Sequence, residues 1–424
     1  MDHSRVETDR GALAEVQTAK LRALLNHALP ANRFYARKLA GMTANELTPG
    51  DLCRFPFTTK QELLDDQAGH PPYGTHLTYP LARYCRLHQT SGTYGQPLRW
   101  LDTSESWQWF LACWRAIYAV VGLRPDDRLF FAFSFGPFIG FWAAFEGALQ
   151  LGNFCLPSGG MTTSARLRFL LDNRATVVCC TPTYAQRMAE VAEQEGLNLP
   201  NSPVRALIVA GEPGGSIAAT KQRIERAWGA RVFDHYGMTE IGSLGIECQE
   251  NPGGFHLLET ECIAEVIDPT TGSPLPPGTE GELVLTNLGR LGSPLIRYRT
   301  GDRVVVDPTP CSCGRVFWRI EGGVRGRTDD MLLVKGNNVF PSAVENIVRR
   351  FPEVGEFRIE VEPTSPLTSL TLRLECQPAH PQLAEAICEA IRRELLFRPE
   401  VIIVPAGTLP HSEMKSERVF RKMK

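Results

Sequence analysis

The sequence lacks an excess of charge of either sign: 45 lysines and arginines stand against 47 aspartates and glutamates, a formal net charge of -2 at pH 7. Nucleic acids and anionic membrane surfaces call for a dense basic face, so neither is expected as a partner, and any polyanion must be held locally. A long apolar run is also missing. The one extended uncharged stretch, 129–145, carries Gly136, Pro137 and Gly140 and falls short of a membrane span, so it reads as a buried strand, loop and helix. Internal repeats and low-complexity linkers are absent. Cysteine is not scarce, at 12 residues, but it is scattered through a chain far larger than a disulfide-stapled miniprotein, so reduced thiols are expected. Residues 1–10 mix both charges and are followed by an amphipathic segment. They show no apolar core or small-residue cleavage site of an export signal, and a cytoplasmic location is the expectation.

With 424 residues, 43% of them hydrophobic, the chain can bury a sizeable core and form two or more domains. Apolar runs at 129–133, 176–180, 204–209 and 231–233 alternate with segments of helical spacing. This alternation predicts an α/β fold, with a parallel sheet flanked by helices and ligand loops at the carboxyl ends of its strands. Gly211 and His235 fall at such ends. After Gly242 short strands at 262–267, 282–285 and 303–306, separated by turns such as 274–278, predict a small antiparallel β subdomain. Beyond Asp330 the pattern is compact α+β: a helix opening at Pro341 and Ser342, strands at 357–361 and 370–375, and a helix over 383–395.

Residues 88–97 read His-Gln-Thr-Ser-Gly-Thr-Tyr-Gly-Gln-Pro. Thr90, Ser91 and Thr93 beside Gly92 and Gly95 can turn backbone N–H groups and hydroxyls toward a polyphosphate. A plain surface turn has the same composition. Further on come Ala-Gly-Glu-Pro at 210–213, Asp-His-Tyr-Gly-Met-Thr-Glu at 234–240, Tyr-Arg-Thr-Gly-Asp at 298–302, Gly-Arg-Thr-Asp-Asp at 326–330 and Lys415, in that order. This ordered set resembles the adenylate-forming superfamily of acyl-CoA synthetases, peptide-synthetase adenylation domains and luciferases. Segments 55–60 and 330–341 look most similar to phenylacetate-CoA ligases, and the resemblance runs from about Phe55 to about Lys415.

The resemblance implies a two-step reaction. A carboxylate attacks the α-phosphorus of ATP to give an acyl-adenylate and pyrophosphate, and a thiol then takes the acyl group. Thr90, Ser91, Gly92, Thr93 and Gly95 would hold the β- and γ-phosphates, although Gln96 stands where many relatives have lysine. Glu240 would carry Mg²⁺, Thr239 would donate to the α-phosphate, and Asp302 would bind the ribose diol. Gly211, Glu212, Pro213, Asp234, His235 and Tyr236 correspond to the adenine segments, with Arg327 a ribose or phosphate contact. Lys415 would bridge carboxylate and α-phosphate, with Met414 where the family has glycine. Asp329 would be the hinge of a mobile lid, dividing the chain into a core at 1–326, a hinge at 327–331 and a lid at 332–424.

The acyl group would lie against Phe135, Gly136, Phe138, Gly211, Tyr236 and Gly237. The aromatic run 133–140 suits a flat apolar acid, and core packing explains it equally well. It holds no basic residue to pair with a second carboxylate, which favours a monocarboxylic aryl or heteroaryl acid. ATP, Mg²⁺ and coenzyme A are the implied cofactors. The acceptor alternative is the phosphopantetheine of a carrier protein, a homodimer is left open, and a catalytically silent nucleotide-binding scaffold is the reading that Gln96 and Met414 motivate. Read from the residues themselves, Cys248 and His256 flank the turn at 251–254, while Cys311 and Cys313 supply two more thiols. Three soft thiolates and an imidazole suit a structural, tetrahedral Zn²⁺; reduced, unliganded cysteines are the alternative.

Overall fold

The computed structural model describes residues 3–42, 47–90, 96–328, 330–334, 337–363, 368–376, 382–410 and 418–421. Its main sheet has eight strands in the order Arg319–Glu321, Gly254–Leu257, Gly242–Glu247, Arg231–Met238, Ala206–Val209, Val177–Cys180, Arg128–Phe131 and Phe154–Pro157. From Arg231–Met238 to Phe154–Pro157 each strand is paired parallel to the next. Val177–Cys180 and Ala206–Val209 are buried at every position, as apolar strands covered on both faces should be.

Alternation along these strands feeds two cores. Phe130, Val178, Cys180, Leu207 and Val209 pack with Leu167, Tyr184, Met188, Ile224 and Trp228 from helices Thr163–Asp172, Pro182–Gln194 and Ala218–Trp228. Leu129, Phe131, Val177, Cys179 and Ile208 pack on the other side with Trp114, Ile117 and Ala144 from helices Ser104–Val121 and Trp142–Gln150.

Strand Arg231–Met238 changes partners along its length. Up to Asp234 it runs parallel to Ala206–Val209, and from His235 it pairs antiparallel with Gly242–Glu247. His235 therefore lies within a strand rather than at its end, a correction to the sequence expectation. Strands Gly242–Glu247 and Gly254–Leu257 extend the main sheet. The separate β subdomain is a four-stranded sheet of Cys262–Ile267, Glu280–Asn287, Tyr298–Val305 and Gly326–Arg327. Short apolar strands look alike in sequence, and their pairing partners are set by register across the sheet.

The smaller C-terminal α+β domain has its own six-stranded sheet, with helices Pro341–Val348 and Leu383–Leu395. Its core includes Val344, Ile347, Phe357, Ile359, Leu372, Leu374, Ile387 and Ile391. No helix among the described residues is long and apolar enough to cross a membrane.

Candidate active site

The carboxyl ends of the parallel strands open into the loops that carry most of the singled-out residues, where ligands of such sheets bind. After Ala206–Val209 the chain turns through Gly211, whose φ of +95° is one that L side chains rarely adopt. The nearest atom to a Cβ built there is Thr181 Cγ2 at 3.8 Å, so conformation rather than crowding demands glycine. The Glu212 carboxylate accepts the backbone N–H of Thr183 at 2.8 Å, fastening this loop to the first turn of helix Pro182–Gln194. Pro213 is exposed.

Where the sheet switches from parallel to antiparallel, Asp234 accepts a hydrogen bond from the Ser216 hydroxyl. Burial pushes the Asp234 carboxyl up to about 7; the Ser216 bond opposes this and the nearby Glu247 charge adds to it. His235 donates Nδ1–H to the Gly245 carbonyl at 2.6 Å, and its ring lies 4.6 Å from that of Trp114. Burial holds its pKa near 4, so it is a neutral imidazole at physiological pH. Tyr236 stacks on Phe255 with ring centroids 5.0 Å apart and donates its hydroxyl to Asp302 Oδ2 at 2.7 Å. Asp302 also accepts from Arg327 Nη1 at 3.1 Å, its partner across the β subdomain. Tyr236, Asp302 and Arg327 thus form one junction between main sheet and subdomain. Gly237 is tight: a Cβ there would stand 2.7 Å from the Gly242 carbonyl.

Thr239 and Glu240 follow directly. Their carbonyls accept Arg290 Nη1 at 2.6 and 3.0 Å, and Arg290 is held by both oxygens of Asp102 at 2.6 and 2.5 Å. Arg290 and Asp102 have no solvent-exposed side-chain surface. The buried Glu240 carboxylate lies 3.5 Å from Lys60 Nζ.

Thr90 closes the neck of the glycine-rich turn, its N–H donating to the Leu98 carbonyl and its hydroxyl accepting the Leu98 N–H, both at 3.0 Å. Ser91, Gly92, Thr93 and Gly95 lie outside the described residues, as do Asp329 and Lys415. Gln89 N–H donates to the Pro137 carbonyl at 2.9 Å, tying this hairpin to the aromatic loop. In that loop Phe135 packs against Phe133, Trp142 and Phe145 with centroids 4.1, 4.9 and 5.2 Å away. Its φ of +45° is an outlier for a bulky residue, of the kind that clusters at ligand sites. The Gly136 carbonyl accepts Trp142 Nε1–H at 3.0 Å, and Phe138 is half-buried nearby in the chain.

Cys248, His256, Cys311 and Cys313 come together, with ligand atoms all within 4.8 Å of one another. Cys248 Sγ is 3.8 Å from Cys311 Sγ, and Cys313 Sγ is 3.3 Å from His256 Nε2. His256 Nδ1 lies 3.1 Å from the Phe317 carbonyl, an acceptor only, so Nδ1 carries the proton and Nε2 is free to ligate. The loop that follows docks the first two helices, His3–Thr8 and Arg10–Ala31: Arg315 pairs with Glu7 at 3.1 Å, Val316 N–H donates to the Glu7 carbonyl at 2.8 Å, and Phe317 packs with Val6 and Leu13.

Asp102, Arg290, Ser216 and Thr183 carry no motif and were not singled out from the sequence. Lys60 ends the segment 55–60, which was noted only for its likeness, with no role attached. Buried charge pairing is the property that marks Arg290 and Asp102, and it is invisible without coordinates.

Residues 84–289 match the AMP-binding enzyme family and 336–422 its C-terminal domain. The chain is 32% identical over 421 residues to the phenylacetate-coenzyme A ligase of Thermus thermophilus, covering 98% of this chain and 90% of that one. The chain belongs to the adenylate-forming AMP-binding enzymes. It is an AMP-forming acid–thiol ligase. This ligase superposes with a TM-score of 0.93 on 2-hydroxyisobutyryl-CoA ligase in the postadenylation state in complex with 2-HIB-AMP, at 27% identity over 99% of this chain and 92% of that one. On the same neighbour with 2-HIB-AMP and CoA in the thioesterification state the score is 0.74, at 28% identity over 99% and 91%. The chain therefore superposes better on that neighbour's postadenylation structure than on its thioesterification structure.

Proposed function

We propose that this ligase uses ATP to convert a monocarboxylic aryl or heteroaryl acid into an acyl-adenylate and then transfers the acyl group to coenzyme A. The junction of Tyr236, Asp302 and Arg327 beside the 210–213 loop carries this reading. It offers a buried, oriented carboxylate for a ribose diol, beside a tyrosine ring that is itself stacked on Phe255.

A carboxylate is inert as an acyl donor because its leaving group would be an oxide, whereas AMP leaves readily. Both steps build negative charge on oxygen, so positioned cations and N–H donors are the main catalytic requirement. In this reading Lys415 bridges the attacking carboxylate and the α-phosphate, and Thr239 donates to that phosphate. Thr90, Ser91, Gly92, Thr93 and Gly95 hold the outer phosphates. Glu240 would hold a magnesium ion that offsets phosphate charge. Gln96 leaves that loop without its own cation, and Lys60, 3.5 Å from Glu240, is placed to supply one. Gly211, Glu212, Pro213, Asp234, His235 and Tyr236 flank adenine. Phe135, Gly136, Phe138 and Gly237 line the acyl side. The core spans 1–326, a hinge at 327–331 turns about Asp329, and the lid spans 332–424. A cytoplasmic location accords with the cofactors and the reduced cysteines.

A pyrophosphate-release screen over benzoic, phenylacetic, anthranilic and heteroaromatic acids tests the first half, and thioester formation with CoA against carrier protein tests the acceptor. Turnover with at least one aromatic acid and CoA is expected; ATP binding without turnover across the whole panel would overturn the reading.

The Cys₃His set fits Zn²⁺. Ligands about 2.3 Å from a tetrahedral centre stand about 3.8 Å apart, which matches the 3.8 Å between Cys248 and Cys311. Four protein ligands make such a site structural rather than catalytic.

A further inference from the structure

The two domains meet across a polar joint centred on Arg418, three residues after Lys415 in the sequence. Arg418 is 8% exposed. Its Nε and Nη2 donate to the two oxygens of Glu356 at 2.8 and 3.2 Å, and its Nη1 donates to Glu345 Oε1 at 3.2 Å. Both carboxylates belong to the C-terminal domain. The same Nη2 donates across the joint to Thr183 Oγ1 at 3.3 Å, and Thr183 opens helix Pro182–Gln194 of the large domain. Thr183 is also the residue whose N–H is held by Glu212 of the proposed adenine loop. Two further bonds cross the joint, Arg223 Nη1 to the Val354 carbonyl at 2.7 Å and Thr220 Oγ1 to Glu345 at 3.4 Å.

The surroundings are polar. Gln186, Arg187, Arg349 and Arg418 help line a small cavity here, and both amide atoms of Gln186 and Nε of Arg349 are buried without a hydrogen-bond partner among the described residues. Such a joint binds water readily and separates at less cost than an apolar core would, as a surface meant to open requires.

We infer that Arg418 is a positioning residue, a latch that seats the C-terminal lid for adenylation through Thr183 and releases it for thioester formation. The inference rests on the two-step reading above. Inside its own domain Arg418 stays paired with Glu345 and Glu356 wherever the lid stands, so its charge is never left buried and bare. Across the joint, its bond to Thr183 and its attraction to the Glu212 charge both depend on lid placement. A contact present in one placement and absent in another biases the equilibrium between them, and this one exists in the postadenylation-like arrangement. Because Thr183 also anchors Glu212, lid seating and the nucleotide loop share one residue.

The test uses the full chain with Thr183→Val, which removes the hydroxyl but leaves every pair inside the lid and the Thr183 N–H intact, and with Arg418→Ala. Single-turnover pyrophosphate release is expected to slow about tenfold in Thr183→Val, the usual order for a hydrogen bond to a charged group. Thioester formation from supplied acyl-adenylate and CoA should stay within about twofold of wild type. Arg418→Ala should shift the same ratio further in the same direction; if it fails to fold, Thr183→Val decides alone. Equal slowing of both halves in Thr183→Val, or no change in either, overturns the latch. Acid-dependent pyrophosphate release by the wild type checks the two-step reading separately. Small-angle scattering scores the latch even for a chain silent toward every acid: Thr183→Val should give a larger radius of gyration, and an unchanged radius overturns the inference.

Discussion

Single side chains here do their work by charge. Both chemical steps load negative charge onto phosphate or carbonyl oxygen, and in the proposed reading the Lys415 ammonium counters it. Lys415→Ala is therefore expected to lose acyl-adenylate formation by a factor of at least about 10², as for other single electrostatic contacts, while still converting supplied acyl-adenylate to thioester. Full first-step activity in that variant refutes the role of Lys415. Asp234 offers a different readout. Its folded pKa, about 7, lies above the ordinary 3.8, so between these values the folded state binds more protons than the unfolded chain. Stability from this group is present below about pH 4 and is lost as pH rises toward 7. Asp234→Asn should remove that component: melting temperature measured from pH 4 to 8 should fall less steeply in the variant than in the wild type, and identical slopes would contradict the assignment.

Elements place these groups. The strand Arg231–Met238 carries the residues proposed for the adenine side and changes partner at His235, and the turn after it is fixed from behind by Arg290 and Asp102. A carbonyl pair bound to a buried guanidinium has little freedom, and the guanidinium is tolerated there only because a bidentate carboxylate compensates it. Removing either partner strands the other. Urea unfolding should show Asp102→Ala less stable by about 3–5 kcal/mol, with the Asp102→Ala/Arg290→Ala pair costing clearly less than the sum of the single changes. Strict additivity would mean that the two do not act as a unit.

The whole molecule depends on joints between parts that are distant in sequence. The Cys/His cluster adjoins the loop on which the first helix docks through Glu7 and Val6 and the second through Leu13. Purified protein should contain one zinc per chain, and Cys311→Ser should lose it. The same variant should melt lower, because a structural metal site contributes folding free energy, with earlier proteolysis near residue 10. Metal-free wild type with an unchanged melting temperature would leave the cluster as three reduced cysteines and a histidine that hold no metal. The polar joint around Arg418 lets the C-terminal domain settle without committing it.

Much of this was legible in the sequence. The alternation of apolar runs with helical segments gave the α/β core, because strands buried on both faces must be continuously apolar, and helix Leu383–Leu395 falls on the residues its pattern indicated. The ordered motifs supplied the residues proposed for the site, since backbone turns and diol or phosphate contacts demand particular residue types at short range. Side chains that matter through distant partners left no such trace. Arg290 needs Asp102, 188 residues away, and Arg418 needs Thr183, 235 residues away. His235 looked like a strand end because local composition cannot say which neighbour a strand will pair with. Local chemistry is written in adjacent residues. Which charges are buried, which strands pair and where two domains touch depend on long-range packing, and only the folded chain decides them.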